Sequence, residues 1–107
     1  FTTTEQYDVV VMINVLEHCY DIPAIFSKID EILAPQGLFV YADVQFDLAD
    51  IKHLAETTYN AGHPIRLTKE YVNGVLDANY EQLFSRTFPE VVAGVTGEER
   101  YFIGKKK

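Results

Sequence analysis

The sequence holds one cysteine, Cys19, so no internal disulfide can form, and the chain must be stable on its core alone. That usage fits a reducing, cytoplasmic setting. Tryptophan is absent, and the six glycines stand singly at positions 37, 62, 74, 94, 97 and 104. No G-x-G pattern arises, so there is no glycine-rich loop to cradle a phosphate, and no G-x-S-x-G elbow marks a hydrolase nucleophile. Positive charge is scarce: 9 basic residues face 16 acidic ones, for a net charge of −7. A surface of that sign repels phosphate backbones and argues against nucleic acid as a partner. The Lys105-Lys106-Lys107 terminus reads as a solvated tail. No apolar run approaches the ~20 residues needed to span a bilayer, and Phe1 to Tyr7 lacks the order of a secretory signal, so no membrane association is expected.

What is present is the composition of one globular domain. In 107 residues, 48% are hydrophobic and 13% aromatic. A chain of this length buries roughly 65% of its unfolded surface, an adequate core with little to spare. Neither a repeat nor a low-complexity segment interrupts it.

The most ordered stretch runs from Tyr7 to Val44. Tyr7-Asp8-Val9-Val10-Val11-Met12-Ile13 is a continuous, mostly β-branched run, expected to form a strand covered on both faces. Asn14 to Tyr20 is a polar loop. Pro23 suits the first positions of a helix, capped by Asp21 or Ile22, with Ile22, Ile25, Phe26, Ile29, Ile32 and Leu33 along one stripe. Pro35-Gln36-Gly37 stops that helix, and Gly37 to Asp43 forms a second strand, parallel to the first. The unit is βαβ, so candidate functional atoms cluster at the strand ends, around Asn14 to His18 and Asp43.

Downstream, Asp47 is placed to cap a second helix carrying Leu48, Ile51, Leu54, Ala55 and Thr58, with Gly62 and Pro64 as stops. Thr68 caps a third, with Val72, Val75 and Leu76 inward and Asn79 at its end. Tyr80 to Phe88 and Arg100 to Lys105 read as an antiparallel hairpin joined by a long loop, Pro89 to Glu99. The aromatic residues Tyr41, Phe46, Tyr59, Tyr71, Phe84 and Phe88 are expected to line the core or a pocket.

Taken in order, these features resemble the second half of the class I S-adenosylmethionine-dependent methyltransferases. Tyr7-Asp8-Val9-Val10 matches the opening of the family's fourth strand. Leu16-Glu17-His18 follows it, Asp21 and Pro23 precede the helix, and Leu33-Ala34-Pro35-Gln36-Gly37-Leu38 leads into the fifth strand. Weaker correspondence continues through His63-Pro64, Thr68 and Tyr80. Gln36 stands where the family has a first glycine, and Asn79 where it has glycine before an aromatic residue; asparagine tolerates the left-handed backbone that glycine would supply. The cofactor-wrapping loop and the ribose-binding acid found upstream in the family have no counterpart here. The resemblance therefore implies a partial Rossmann-like α/β fold, a single unit over residues 1–107, with parallel strands, flanking helices and a C-terminal hairpin whose last strand is inserted antiparallel.

It also implies S-adenosylmethionine as cofactor, a small-molecule acceptor, and a chain that is inactive without the other half of its domain. Asn14, Val15 and Leu16 are the implied cofactor contacts. His18 and His63 are the candidate catalytic residues, because a neutral imidazole can take a proton from an acceptor; the plainer alternative for each is a packed loop histidine. Some family members bind a divalent ion through Glu-x-x-Glu-His at this loop. Here only Glu17-His18 remains of that motif, and no metal site is assigned. Asp43 is a candidate acceptor-binding carboxylate or, more plainly, a cap for a neighbouring turn. Two further readings stand beside methyl transfer: a catalytically inactive module of the same fold that acts in binding or self-association, and another doubly wound α/β domain. With the family's first strand absent, Val9 to Ile13 becomes an unpaired apolar edge, and a homodimer through this strand or the uncovered apolar face is expected.

Overall fold

A computed structural model describes residues 5–16, 21–57, 67–92 and 94–107. The elements run β1 (Tyr7–Ile13), α1 (Ile22–Ile32), β2 (Leu33–Phe46), α2 (Leu48–Thr57), β3 (Leu67–Thr68), α3 (Lys69–Asn79), β4 (Tyr80–Val92) and β5 (Val95–Lys106). They build an open sheet in the order β1-β2-β5-β4, with β3 adding a short parallel pairing to the end of β2. The first two strands are parallel, and β5 lies antiparallel between β2 and β4. The expected α/β architecture, including the inserted last strand, is the one observed.

Local chemistry explains the helices. The Asp21 side chain accepts from the Ala24 amide at 3.1 Å and caps α1, whose buried stripe is Ile22, Phe26, Ile29 and Ile32. Thr68 does the same for α3 through the Tyr71 amide at 3.3 Å, and Val72 and Leu76 face inward. In α2 the Leu54 side chain is buried while Leu48 is exposed, so the expected stripe is narrower than its spacing suggests. Thr58, Tyr59, Gly62 and Pro64 lie outside the described residues.

Register assigns every strand residue to a face. Val10, Met12, Phe39, Tyr41 and Phe102 meet α1 and α3 in the main core, where Phe39 is fully buried with its ring 6.0 Å from Tyr41 and 5.3 Å from Tyr80. On the opposite face α2 covers only the end of the sheet, where Leu54, Phe46 and Val95 form a second, small cluster. The remainder of that face carries Val9, Val11 and Ile13 alongside Val40, Tyr101 and Phe84. The expectation that β1 is covered on both sides therefore fails: Val9, Val11 and Ile13 are 49%, 60% and 50% exposed, because among the described residues no element packs over them. Of the aromatic residues expected in the core or a pocket, Tyr41 and Phe46 are buried, Tyr71 and Phe84 line surface crevices, and Phe88 is exposed.

The hairpin departs most from expectation. Pairing continues without a long loop to Val92↔Val95, with Gly94 at φ +80 in the tight turn. Pro89, read from sequence as a breaker, sits inside β4 opposite Glu98; a proline is tolerated there because β4 is an edge strand. Gly97 is a strand residue as well. A Cβ there would come within 2.5 Å of the Phe46 ring, so the glycine serves close packing rather than a turn.

Gln36 occupies the left-handed region at φ 63, in the irregular stretch where the β1–β2 register shifts. Glycine fits that backbone without a Cβ penalty. Gln36→Gly is expected to raise stability by about 0.5–1 kcal/mol, read from the denaturation midpoint, since the residue is exposed and loses no packing. Asn79 is a correction in the other direction. It completes α3 in ordinary helical backbone, its Nδ2 donating to the Val75 carbonyl at 2.8 Å, and no left-handed residue is needed before Tyr80.

Candidate functional site

The parallel strands β1 and β2 end side by side, and the chain leaves β1 through a turn fixed by three contacts. Asn14 adopts φ 54 while its amide donates to the Ala42 carbonyl at 2.8 Å. Two residues on, the Leu16 amide donates to Asp43 Oδ2 at 3.2 Å, and the other carboxylate oxygen accepts from the Val44 amide at 2.9 Å. Asp43 is fully buried. It acts as the cap that ties the loop after β1 to the end of β2, the plainer of its two expected roles. This tie leaves Asn14 and Val15 exposed at the strand end, while Leu16 is wholly buried in the main core. Of the sequence-derived site residues, Asn14, Val15 and Leu16 are thus brought to one edge of the sheet. His18 and His63 lie outside the described residues, as does Glu17. Among the described residues no three acidic, histidine or cysteine side chains converge as metal ligands.

A polar cluster beside this loop escaped the sequence reading. Arg100 pairs with Asp43 in register across β2 and β5 and is only 7% exposed. Its Nε donates to Ser85 Oγ at 3.2 Å, Nη2 to Gln82 Oε1 at 3.4 Å and Nη1 to Asn73 Oδ1, while the guanidinium lies 5.0 Å from the Phe102 ring centroid. Gln45 donates to the same Asn73 oxygen at 3.4 Å, and its own Oε1 is buried with no hydrogen-bond partner among the described residues. At the rim Lys69 pairs with Glu98 at 3.4 Å and Asp47 at 3.6 Å. These residues come from four elements. The one sequence signal was the period-2 spacing of Asp43 with Gln45 and of Glu98 with Arg100, which puts each pair on a single face.

An open α/β sheet with parallel βαβ connections, a buried carboxylate holding the loop at the strand ends and an antiparallel strand in its interior defines a doubly wound α/β class. Within that class the chain belongs to a methyltransferase domain family, whose model matches residues 2–83. Among curated proteins no sequence matches it. Solved structures resemble it in fold. The N-methyltransferase NodS from Bradyrhizobium japonicum WM9, in complex with S-adenosyl-L-homocysteine, superposes at a TM-score of 0.67 with 18% identity over 99% of this chain and 49% of its own. A SAM-dependent methyltransferase from Methanosarcina mazei gives 0.65 and 14% identity, covering 98% of this chain and 63% of that one. The CurJ carbon methyltransferase gives 0.58 and 18%, over 96% and 30%. The chain thus spans about half the length of NodS.

Proposed function

We propose that this chain is the C-terminal half of an S-adenosylmethionine-dependent methyltransferase domain acting on a small-molecule acceptor in a reducing, cytoplasmic setting. The observation that carries the reading is the loop after β1, held open at the sheet edge by Asp43 while Asn14 and Val15 face outward. An exposed turn at a strand end suits the amino-acid portion of the cofactor, and Asn14 and Val15, backed by the buried Leu16, are the residues that would hold it. When bound, the cofactor supplies an electrophilic sulfonium methyl. The protein's part is alignment, with His18 and His63 as the groups that would receive an acceptor proton. Neighbours named for nitrogen and for carbon methylation share this fold, so the acceptor atom follows from the pocket and not from the sheet.

The uncovered apolar face supports a second reading, in which the chain self-associates as a homodimer through β1 and its neighbours, with or without catalysis. One experiment addresses both: calorimetric titration of S-adenosylhomocysteine, with the oligomeric state followed by light scattering in the same buffer. Saturable micromolar binding that weakens in Asn14→Ala is expected, together with a dimer. Absence of saturable heat would overturn the cofactor role of these residues, and a monomer at high micromolar concentration would overturn the dimer.

A further inference from the structure

Away from the strand ends, α1 and α3 lie side by side on the covered face and leave a crevice of about 290 Å³ between them. Its walls are Phe26, Ser27 and Asp30 from α1, and Tyr71, Asn79 and Tyr80 from α3 and the start of β4. Phe26 and Tyr71 stand with ring centroids 6.2 Å apart and planes tilted by 56°. Tyr80 is only 3% exposed and lines the crevice. Burial first, and the Asp30 carboxylate second, push the Tyr80 phenol up to about 12. At neutral pH it is protonated and can donate a hydrogen bond.

We propose that this crevice binds a small organic ammonium ion that also carries a hydroxyl oxygen. The carboxylate of Asp30 faces the positive charge, the rings of Phe26, Tyr71 and Tyr80 give it polarizable walls, and the ligand oxygen accepts from the Tyr80 hydroxyl. No lining residue is cationic. The nearest cation, Lys106, is tethered by two backbone carbonyls, Asp30 O at 2.6 Å and Leu33 O at 2.9 Å, and stands 3.9 Å from the Asp30 carboxylate. That carboxylate remains 53% exposed and can take a second positive partner. The volume falls at the low end of the range for small-molecule sites. The chain's net charge of −7 favours cations generally and disfavours anions. The site is built from helix faces and does not rest on the cofactor reading.

Choline chloride is the probe, titrated calorimetrically against the full chain, with sodium chloride at matched ionic strength as the blank. Saturable binding with Kd of about 0.1–1 mM is expected. Tyr80→Phe keeps the ring and removes only the donor, so affinity should fall about fivefold to tenfold. Asp30→Asn removes the charge but keeps the carbonyl that holds Lys106, and should weaken binding more than about tenfold. Thermal unfolding of each variant reports whether the fold is intact; should Tyr80→Phe fail to fold, Asp30→Asn decides alone. No saturable heat with choline up to about 20 mM, or equal affinity in parent and Asp30→Asn, would overturn the proposal.

Discussion

Asp43→Ala is expected to destabilise the chain by about 2–4 kcal/mol, because the carboxylate is fully buried and accepts from two backbone amides. Its loss leaves the Leu16 and Val44 amides without their acceptor. Chemical denaturation would show the midpoint falling with an unchanged slope. Hydrogen exchange adds a local signature: the Leu16 amide should lose protection by more than the global change accounts for, since the loop after β1 is released first. Asp43→Asn keeps one carbonyl oxygen and should fall between the two. A stability within about 1 kcal/mol of the parent would refute the capping role.

Phe39→Ala removes the ring at the centre of the main core, where it is fully buried against Tyr41 and Tyr80. Truncating a buried phenylalanine costs about 3–5 kcal/mol, a large share of the ~5–15 kcal/mol a domain possesses. The melting temperature should fall by at least about 12 °C, at about 4–8 °C per kcal/mol for a domain of this size. Phe84→Ala is the matched control. That ring is 46% exposed on the open face, so its removal should shift the melting temperature only slightly in a monomer, and more if a partner copy covers it. Equal losses from the two substitutions would mean that the assignment of faces is wrong.

How much of this was legible beforehand varies with the range of the signal. The caps Asp21 and Thr68, the stripe Ile22 to Ile32 and the run Tyr7 to Ile13 are local, and the structure keeps them where periodicity and capping chemistry put them. The extent of the hairpin was not legible. Pro89 and Gly97 look like breakers until one knows that the first lies on an edge and the second packs under Phe46, both facts of tertiary placement. Exposure of β1 was hidden for a related reason. An all-apolar strand signals two buried faces, but which elements lie over them is not encoded within the strand. The Arg100 cluster joins residues as far as 28 positions apart, and no window of sequence brings Gln45 and Asn73 together. For the site itself, the position of Asn14 to Leu16 was readable, whereas the buried tie from Asp43 was only one of two alternatives.

The placement of β5 has a consequence for how the chain is made. This strand is interior: Lys105 pairs with Leu38, and Lys106 with Tyr80. During synthesis β2 therefore emerges about sixty residues before its antiparallel neighbour, and at ~5–20 residues/s the ribosome takes roughly 3–12 s to deliver it. Through that interval Phe39 and Tyr41 have no β5 beside them, and the hairpin β4–β5, whose contacts are local, can assemble first and dock as a unit. Loss of residues 95–106 would remove the middle of the sheet and not its margin, which makes β5 the segment this fold can least spare.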